Sequence, residues 1–548
     1  MNTKLFGLTR LTAGRRSFRA AMFCCLLFSV LPLCGKTIPA GNANYTTFLS
    51  SLQPGDTLLL SSGTYTGNLT LKNLSGTALN PIVILGRTDG SVIFEAQSCC
   101  NTISITQCAW LVIRDLKLDG KNLAVDAVKG EGTADNWAHD ITVENLDISG
   151  YGNNQQIVGI STKCPAWNWV IRNNKITGAG TGMYLGNSDG SKPFVNGLIE
   201  YNLIQNTLGY NIEIKHQTDT VRDNIAGTRT DGQRTIIRYN VFSKESGASA
   251  GSNARPNLLV GGLPQTGYGK NDVYEIYGNF FWQNPTEALF QATGNVNFHH
   301  NILVNHNDPA GYRAVYFKDH NGVKPQKIKV FQNTIYAINS SGVLRLYNPD
   351  NGYRQYCYAN AVFGPQAITG FTDTSHNITD AYANAGNYVN SVSATLSGAD
   401  FYPKAGKLNT ATTTDTAFTS CTDYQWDFNR RASSWNMAGA YGASGTNPGW
   451  HLALERRPYL SGSTRVFIPQ KPVTEVFPNP SAGAFTVQCN QNGYIIITNA
   501  VGQLIQSKEI VQGQNRIVLP EMGEGMYLWK LSTPGGILSG RLLNLPSR

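Results

Sequence analysis

The chain has 548 residues, of which 56 are glycine and only 14% are charged. This length exceeds one ordinary domain, and a chain rich in Gly, Asn and Thr favours short strands and turns over long helices. The formal net charge of +9 is concentrated at the N-terminus, so it gives no support for nucleic-acid binding.

The first 36 residues are predicted to be a secretory signal peptide. Five basic residues precede an apolar run at residues 20–34, which is shorter than the ~20 residues of a membrane span. That order is typical of a signal, and a membrane anchor is the alternative. We expect cleavage near Gly35–Lys36. Residues 1–36 contain six basic and no acidic side chains, so removing them lowers the formal charge from +9 to +3.

The start of the mature chain is predicted to be a cap. Residues 44–65, "NYTTFLSSLQPGDTLLLSSGTY", give an amphipathic segment, a Pro-Gly-Asp turn and an apolar strand. A cap of this kind would cover the open edge of the first repeat that follows.

A repeated phrase then organises the middle of the chain. It reads "IRNNKI" at 171–176 and "IRYNVF" at 237–242, with asparagine as the fourth residue. Strands this short can bury one face only if many coils stack, and an asparagine at each turn could hydrogen-bond to the next coil. The irregular spacing favours a parallel β-helix over leucine-rich or propeller repeats. The asparagines of this column are Asn174, Asn202, Asn240, Asn279, Asn301 and Asn333.

A second column of short strands follows the asparagine phrases. Its members include "GMYLG" at 182–186, "NIEIK" at 211–215 and "ALFQA" at 288–292, and the second and fourth residues are expected to face inward. On this register Gln291 faces inward and Phe290 outward. The predicted outward residues therefore share one face, namely Tyr184, Glu213, Lys215, Tyr316, Lys318, Arg345 and Tyr347.

The sequence therefore predicts an all-β fold in two parts. Residues 37–442 form a parallel β-helix, with 427–442 as its last coil. Residues 443–472 form a linker that ends in "PQKP", and residues 473–548 form a small antiparallel β-sandwich.

The last segment resembles the C-terminal sorting domain of type IX secretion cargo. The resemblance rests on "PNP" at 478–480, on Gly483, Gly502 and Gly525, on Tyr527 and on the final "GRLLN". It implies that the secretion machinery recognises residues 473–548, and that the protein is secreted or held at the outer-membrane surface of a Gram-negative bacterium. An ordinary carbohydrate-binding sandwich is the alternative.

Residues 37–442 resemble the secreted right-handed parallel β-helix proteins, which include pectate-lyase-like polysaccharide lyases. The "LQPGDTLLLSSGTY" opening and the "NNxI" coils carry this resemblance. The stretch 210–242 is similar in outline to the alginate-lyase and chondroitinase B family. That similarity implies β-elimination on a uronate glycan, with Lys215 as the base and Arg234 as its partner, although no His-Gly follows Arg234 as it does in the family.

The remaining site residues are predicted by position. Glu213, His216, Tyr184, Tyr316 and Lys318, together with Arg345 and Tyr347, are expected to contact the polysaccharide, since aromatic and cationic side chains on one face suit an anionic glycan. No metal-ligand spacing stands out, although calcium is possible as a cofactor. Insertions at 216–233 and 243–255 would build the groove walls.

Seven cysteines lie outside residues 1–36, and their spacing does not suggest zinc. An odd number leaves at least one free thiol, and buried free cysteine is expected for most of them. They are Cys99, Cys100, Cys108, Cys164, Cys357, Cys421 and Cys489.

Two functions remain open from the sequence. The first is a polysaccharide lyase, and the second is a non-catalytic surface protein that binds glycan or serves as an adhesin or scaffold. A glycosidase is disfavoured, because its two carboxylates would have to share one face and only Glu213 does so. We expect a monomer that does not bind nucleic acid.

Overall fold

The computed structural model describes residues 35–412, 416–458, 474–489, 493–511, 513–518, 524–533 and 536–545. The predicted signal peptide lies almost entirely outside these residues, as does most of the predicted linker. No helix in these ranges is long and apolar enough to cross a membrane.

Residues from 37 to 380 form a right-handed parallel β-helix with three sheets, and each coil contributes strands to sheets A, B and C in that order. Sheet A contains Thr37–Ala40, Thr57–Leu60, Ile82–Leu85, Cys108–Arg114, Ala138–Glu144, Val170–Arg172, Leu198–Glu200, Arg234–Arg238, Val273–Tyr277, Gly294–His299, Pro325–Phe331, Tyr356–Tyr358 and Asp373–Ser375, with Ala166–Trp167 and Phe194–Val195 at its side.

Sheet B contains Gly63–Tyr65, Val92–Glu95, Lys117–Asp119, Asp147–Ser149, Lys175–Thr177, Leu203–Gln205, Val241–Ser243, Phe280–Trp282, Ile302–Asn305, Thr334–Ala337, Ala361–Phe363 and Ile378–Asp380. Sheet C contains Leu69–Lys72, Ile103–Thr106, Val128–Gly130, Val158–Thr162, Thr181–Leu185, Ile212–Ile214, Leu258–Val260, Phe290–Ala292, Val315–Phe317, Leu344–Leu346 and Ile368–Thr369.

The predicted asparagine column forms a hydrogen-bonded ladder at the turn from sheet A to sheet B. Asn174 Nδ2 donates to Asn202 Oδ1 at 2.9 Å, and Asn202 Nδ2 donates to Asn240 Oδ1 at 2.9 Å. The ladder continues through the later coils to Asn360 and Asn377. The residue before each ladder asparagine has a left-handed backbone, such as Tyr239 at φ 57°. Each ladder amide is thereby free to point into the core.

The predicted register of sheet C is right at five of the six aligned strands and wrong at 288–292. Leu259 pairs with Gln291 and Leu258 pairs with Phe290, so Phe290 faces the core and Gln291 faces outward. Phe290 stacks on Phe298 with ring centroids 4.5 Å apart. A buried aromatic contact fixes the strand one residue away from the alternation expected from sequence.

The N-terminal segment covers the first coil. Helix Tyr45–Leu49 buries Tyr45 and Leu49, and the Tyr45 ring packs edge-on against Tyr65 and Phe94 at centroid distances of 5.3 and 5.7 Å. This is the position predicted for the cap.

Residues 427–442 do not form the predicted last coil. They belong to a strap that runs back along the β-helix. The last coil ends with Ile378–Asp380, and a hairpin of Val389–Val392 and Ala399–Pro403 follows. The strap, residues 416–458, bonds to sheet A and to the adjacent turns, where Asp423 accepts from Arg238 at 3.0 Å and Arg456 donates to Asn173 O at 2.8 Å. Short 3-10 helices occur at Ala226–Thr228, Gly251–Asn253, Tyr382–Asn387, Leu396–Gly398 and Thr416–Phe418.

The packed body therefore extends past residue 442, where the sequence placed its end. Leu452 is buried, and the Arg457 guanidinium lies 4.1 Å from the Phe428 ring centroid. The strap also covers two buried histidines, since Ser433 Oγ contacts His300 Nε2 at 2.9 Å.

The C-terminal segment is an antiparallel sandwich. One sheet contains Thr474–Phe477, Ala484–Cys489 and Gly513–Val518, and the other contains Leu504–Ile510, Gly493–Asn499, Gly525–Thr533 and Gly536–Asn544. Both sheets contribute to one core, where Phe485 and Val487 pack with Ile497 and Leu531.

Candidate functional site

The outer face of sheet C carries the predicted cluster around Glu213. Ile212 and Ile214 are fully buried, so the pleat turns Glu213 outward between them. Tyr184 is its register partner on the preceding coil. Lys215 follows at the end of the strand, and its Nζ lies 2.7 Å from Glu213 Oε1.

The structure adds Lys163 to this cluster. Thr162 pairs with Leu185, and Leu185 pairs with Ile214, so Lys163 and Lys215 occupy one outward column two coils apart. Gly186 lies between them, and a Cβ there would come within 3.2 Å of the Lys215 Cβ. The absent side chain allows both ammonium groups to approach the Tyr184 ring, with Nζ to ring-centroid distances of 3.4 Å for Lys163 and 5.5 Å for Lys215.

These residues line a groove with a cavity of about 470 Å³. One wall comes from the turns between sheets B and C, with Gln155, Tyr210 and Arg255, and the other includes Ser188. Gln155 Nε2 donates to Ser249 Oγ at 2.9 Å, which anchors the predicted wall insertion at 243–255. The groove is thus lined mainly by polar and charged side chains.

Lys215 is held as a cation. Burial lowers the pKa of Lys215, but the adjacent Glu213 carboxylate outweighs this effect and raises it above the ordinary value. Glu213 itself is 3% exposed, and burial raises its pKa against the opposing influence of Lys215. A lysine paired in this way is a poor proton acceptor and a good partner for an anionic group.

Lys163 differs from Lys215 in the direction of its pKa shift. Burial lowers the pKa of Lys163 to about 8, helped by the nearby Lys129 and Lys215 and opposed by Asp126 and Glu213. A substantial neutral fraction therefore exists slightly above neutral pH, and a neutral amine can accept a proton.

Two tyrosines complete the polar lining. Burial, followed by the charge of Glu213, raises the pKa of Tyr184 and that of Tyr210. Both hydroxyls stay protonated at neutral pH and can donate a proton or a hydrogen bond. The Arg255 guanidinium lies 5.7 Å from the Tyr210 ring centroid.

Among the predicted contact residues, His216 lies beside the groove. Its Nδ1 contacts Asn321 Nδ2 at 2.9 Å, and burial with the nearby Lys215 lowers its pKa. The next coil has Gly261 at the column position after Lys215, and a Cβ there would meet the His216 nitrogen at 2.4 Å. The coil after Lys215 therefore presents no side chain at this point.

The remaining predicted contacts continue along the same sheet. The Lys318 Nζ lies 5.5 Å from the Tyr316 ring centroid, and the Arg345 guanidinium lies 5.1 Å from that of Tyr347. Tyr316 and Arg345 are register partners. Sheet C thus carries a second cluster of paired cations and aromatic rings, three coils beyond Glu213.

Arg234 is not part of this site, which corrects its predicted partnership with Lys215. It begins a strand of sheet A, pairs with the buried Glu275 and donates to Ser420 O in the strap at 2.8 Å. Residues 216–233 form a long excursion between sheets C and A, held by the 2.6 Å pair of Arg222 and Asp272. Arg234 therefore holds the strap and lies on a different sheet from Lys215.

Three residues that sequence reasoning missed line the groove: Lys163, Tyr210 and Arg255. The sequence contained a signal for Lys163, because "VGIST" at 158–162 continues the sheet C column one coil earlier. Arg255 lies in an irregular insertion, where no periodicity predicts the direction of a side chain.

Within the described ranges, no group of three or more His, Cys, Asp or Glu side chains could hold a metal ion. The two carboxylates in the groove already have cationic partners, Glu213 with Lys215 and Asp126 with Lys129 at 3.1 Å.

Residues 475–543 match the family model described as "Secretion system C-terminal sorting domain". The C-terminal sandwich is therefore a type IX sorting domain, as its motifs indicated, and it marks the chain as secreted or cell-surface. No curated protein is significantly similar to the chain in sequence.

Three solved structures show a distant similarity to part of this chain. An alginate lyase from Paenibacillus sp. str. FPU-7 is 16% identical with a TM-score of 0.40, over 63% of this chain and 99% of that one. The PL6 family alginate lyase AlyGC is 14% identical with a TM-score of 0.37, over 63% and 51%. An exopolygalacturonase from Thermotoga maritima is 11% identical with a TM-score of 0.33, over 62% and 91%.

Proposed function

We propose that the groove on sheet C binds an anionic, uronate-containing polysaccharide and cleaves it by β-elimination. The observation that carries this proposal is the pair of lysines beside Tyr184. Lys215 is held as a cation by Glu213, whereas the pKa of Lys163 is lowered to about 8. One groove therefore offers a permanent positive charge and an amine that can be neutral.

Each part of the reaction has a candidate in this groove. Lys215 and Arg255 would neutralise the uronate carboxylate, which makes the proton on C5 more acidic. Neutral Lys163 would take that proton, the C–H electrons would form the C4–C5 double bond, and the C4–O glycosidic bond would break. The Tyr184 hydroxyl would give its proton to the leaving oxygen.

This assignment moves the role of base from Lys215 to Lys163. A base must lose its own proton near the working pH, and the carboxylate 2.7 Å from Lys215 Nζ works against that loss. Burial of the Lys163 ammonium is the largest cause of its lowered pKa and favours the loss of its proton. Lys215 remains in the site as the charge that attracts the substrate.

The second cluster extends the binding surface. Tyr316, Lys318, Arg345 and Tyr347 would bind further sugar units of a chain lying along the solenoid, because successive coils are ~4.8 Å apart. Alternating rings and cations suit a polymer with apolar sugar faces and repeated anionic groups.

The non-catalytic alternative uses the same groove without proton transfer.

The raised pKa of Glu213 and the nearby Asp126 also leave room for hydrolysis by two carboxylates. However, Asp126 accepts from the Val158 amide at 2.9 Å and pairs with Lys129, which leaves it poorly placed to activate water.

One assay separates these functions. The purified protein is incubated with alginate, pectate, chondroitin and heparin-type chains, with and without calcium, while ultraviolet absorbance of the unsaturated product and new reducing ends are both followed. A lyase produces both signals, a hydrolase produces reducing ends alone, and a binding protein produces neither.

The variants that test the roles are Lys163→Met and Lys215→Met, with Lys175→Met as the matched control. Lys175 begins a strand of sheet B, away from the groove. We expect the first two variants to lose the unsaturated product and the control to keep it. Unchanged activity of Lys163→Met would refute its role as the base, and a folded protein inactive on every substrate would refute the lyase.

A further inference from the structure

Two adjacent cysteines differ from all the others in the described chain. Cys99 and Cys100 are exposed, whereas Cys108, Cys164, Cys357, Cys421 and Cys489 are buried. The exposed pair lies in the turn that leads from strand Val92–Glu95 of sheet B to strand Ile103–Thr106 of sheet C.

The local backbone holds the two thiols together. Gln97 and Cys100 form an isolated antiparallel bridge, so residues 97–100 make a tight turn. Asn68 Nδ2 fixes the end of this turn by donating to Cys100 O at 2.9 Å and to Asn101 O at 2.6 Å. The adjacent Cys99 side chain is the largest cause of the raised pKa of the Cys100 thiol.

The periplasm and the outside of the cell favour oxidation of exposed thiols. The sorting domain at 475–543 directs the chain out of the cell, and disulfides form and persist in the periplasm and outside the cell. Buried thiols are protected there, but an exposed adjacent pair is not.

We propose that Cys99 and Cys100 are a redox-modified site, and that they form a vicinal disulfide in the exported protein. One thiolate attacks an external low-molecular-weight or protein disulfide, forming a mixed disulfide and releasing one thiol. The neighbouring thiolate then attacks the mixed disulfide, closing the ring and releasing a second thiol. The two cysteines lose two electrons and two protons, which the external disulfide gains.

The bond would be labile. Adjacent Cα atoms are about 3.8 Å apart, below the usual range of about 4.4–6.8 Å for disulfides, so the ring is strained and readily reduced. The site also adjoins the groove, because Asn101 lines the groove and its Oδ1 accepts from the Asp126 amide at 2.9 Å. Closing the ring therefore stiffens the turn that carries part of the groove wall.

The test uses the full protein and one tryptic peptide. Cleavage after Arg87 and Arg114 releases a peptide that contains Cys99, Cys100 and Cys108. Protein kept with oxidised glutathione is denatured, alkylated and digested. We expect one alkylated cysteine, Cys108, and a peptide lighter by two hydrogen atoms, and three alkylated cysteines after mild dithiothreitol treatment.

A control variant and a non-reducing gel test the proposal further. Cys99→Ser leaves a single exposed thiol, so both remaining cysteines of the peptide should be alkylated or carry glutathione, with no loss of two hydrogens. Three alkylated cysteines in the oxidised wild type would overturn the proposal. So would a disulfide-linked dimer on a non-reducing gel, since that would show pairing between molecules.

Discussion

Replacing a central member of the asparagine ladder provides a quantitative test of the fold. Asn240 is fully buried, and its Nδ2 donates to Ile199 O at 2.9 Å and to Asn279 Oδ1 at 3.0 Å. Its Oδ1 accepts from the backbone nitrogen and the Nδ2 of Asn202, at 3.0 and 2.9 Å. One side chain thus links three coils.

The expected loss follows from those four bonds. Each contributes about 1 kcal/mol net, and each partner left unbonded in the core adds its own desolvation cost. Asn240→Leu should therefore lower the free energy of unfolding by at least about 4 kcal/mol. Asn240→Asp keeps the acceptor oxygen but loses both donor bonds and buries a charge, so it should cost more than the leucine variant at neutral pH.

Urea denaturation followed by circular dichroism measures both variants as a shift in midpoint at unchanged slope. Asn384→Leu is the matched control, because Asn384 is exposed and makes one surface side-chain bond, to Asp380 at 2.8 Å; we expect a change within about 0.5 kcal/mol. A loss below about 1 kcal/mol for Asn240→Leu, or an aspartate variant more stable than the leucine variant, would refute this account of the ladder.

Three further predictions concern charge. If Lys163 is the base, kcat/KM on a cleaved uronate substrate should rise with pH to a midpoint near 8, and Lys163→Met should lower it by about 10²- to 10⁴-fold without that rise; a pH-independent wild type would contradict this role. Glu213→Gln should destabilise the fold by about 3 kcal/mol in thermal or urea unfolding, because it leaves the Lys215 cation unpaired in a largely buried site, and a neutral effect would mean that the pair is solvated. Burial lowers the pKa of His300 from 6.5 to about 3, so the unfolded state binds the proton first and His300 alone should lower the stability by about 1.4 kcal/mol per pH unit from pH 6.5 towards 3; burial also lowers the pKa of the adjacent His299, so His300→Gln should reduce the slope by the His300 contribution in urea titrations at several pH values.

Local periodicity in the sequence was enough to determine the architecture. Asparagine in the fourth position of a repeated phrase, with apolar residues alternating around it, suits stacked coils and little else, because one coil cannot bury its own inner face. The same alternation placed Glu213, Lys215 and Tyr184 on one outer face. The sorting domain was also recognisable, since its turn glycines and its "PNP" at 478–480 are local features.

Contacts between distant segments decided what the sequence left open. Phe290 displaced the register of its strand by packing on Phe298, a contact that alternation within one strand cannot predict. Residues 427–442 contain the apolar and glycine residues of a coil, yet they form part of a strap because their bonding partners lie in a turn from sheet A to sheet B and at the start of a sheet B strand.

The groove on sheet C was likewise determined partly by the sequence and partly by the tertiary structure. The sequence placed Lys215 in the groove, but its role depends on the distance to Glu213 and on burial, which only the folded chain sets. Arg234 was paired with Lys215 on the resemblance to the alginate-lyase and chondroitinase B family, while the excursion at 216–233 carries it to another sheet. Arg255 reaches the groove from an irregular loop. The sequence by itself determined which residues face outward on five of the six aligned strands of sheet C, and the tertiary structure decided which of them meet, because coil stacking and loop insertions set distances that no local pattern encodes.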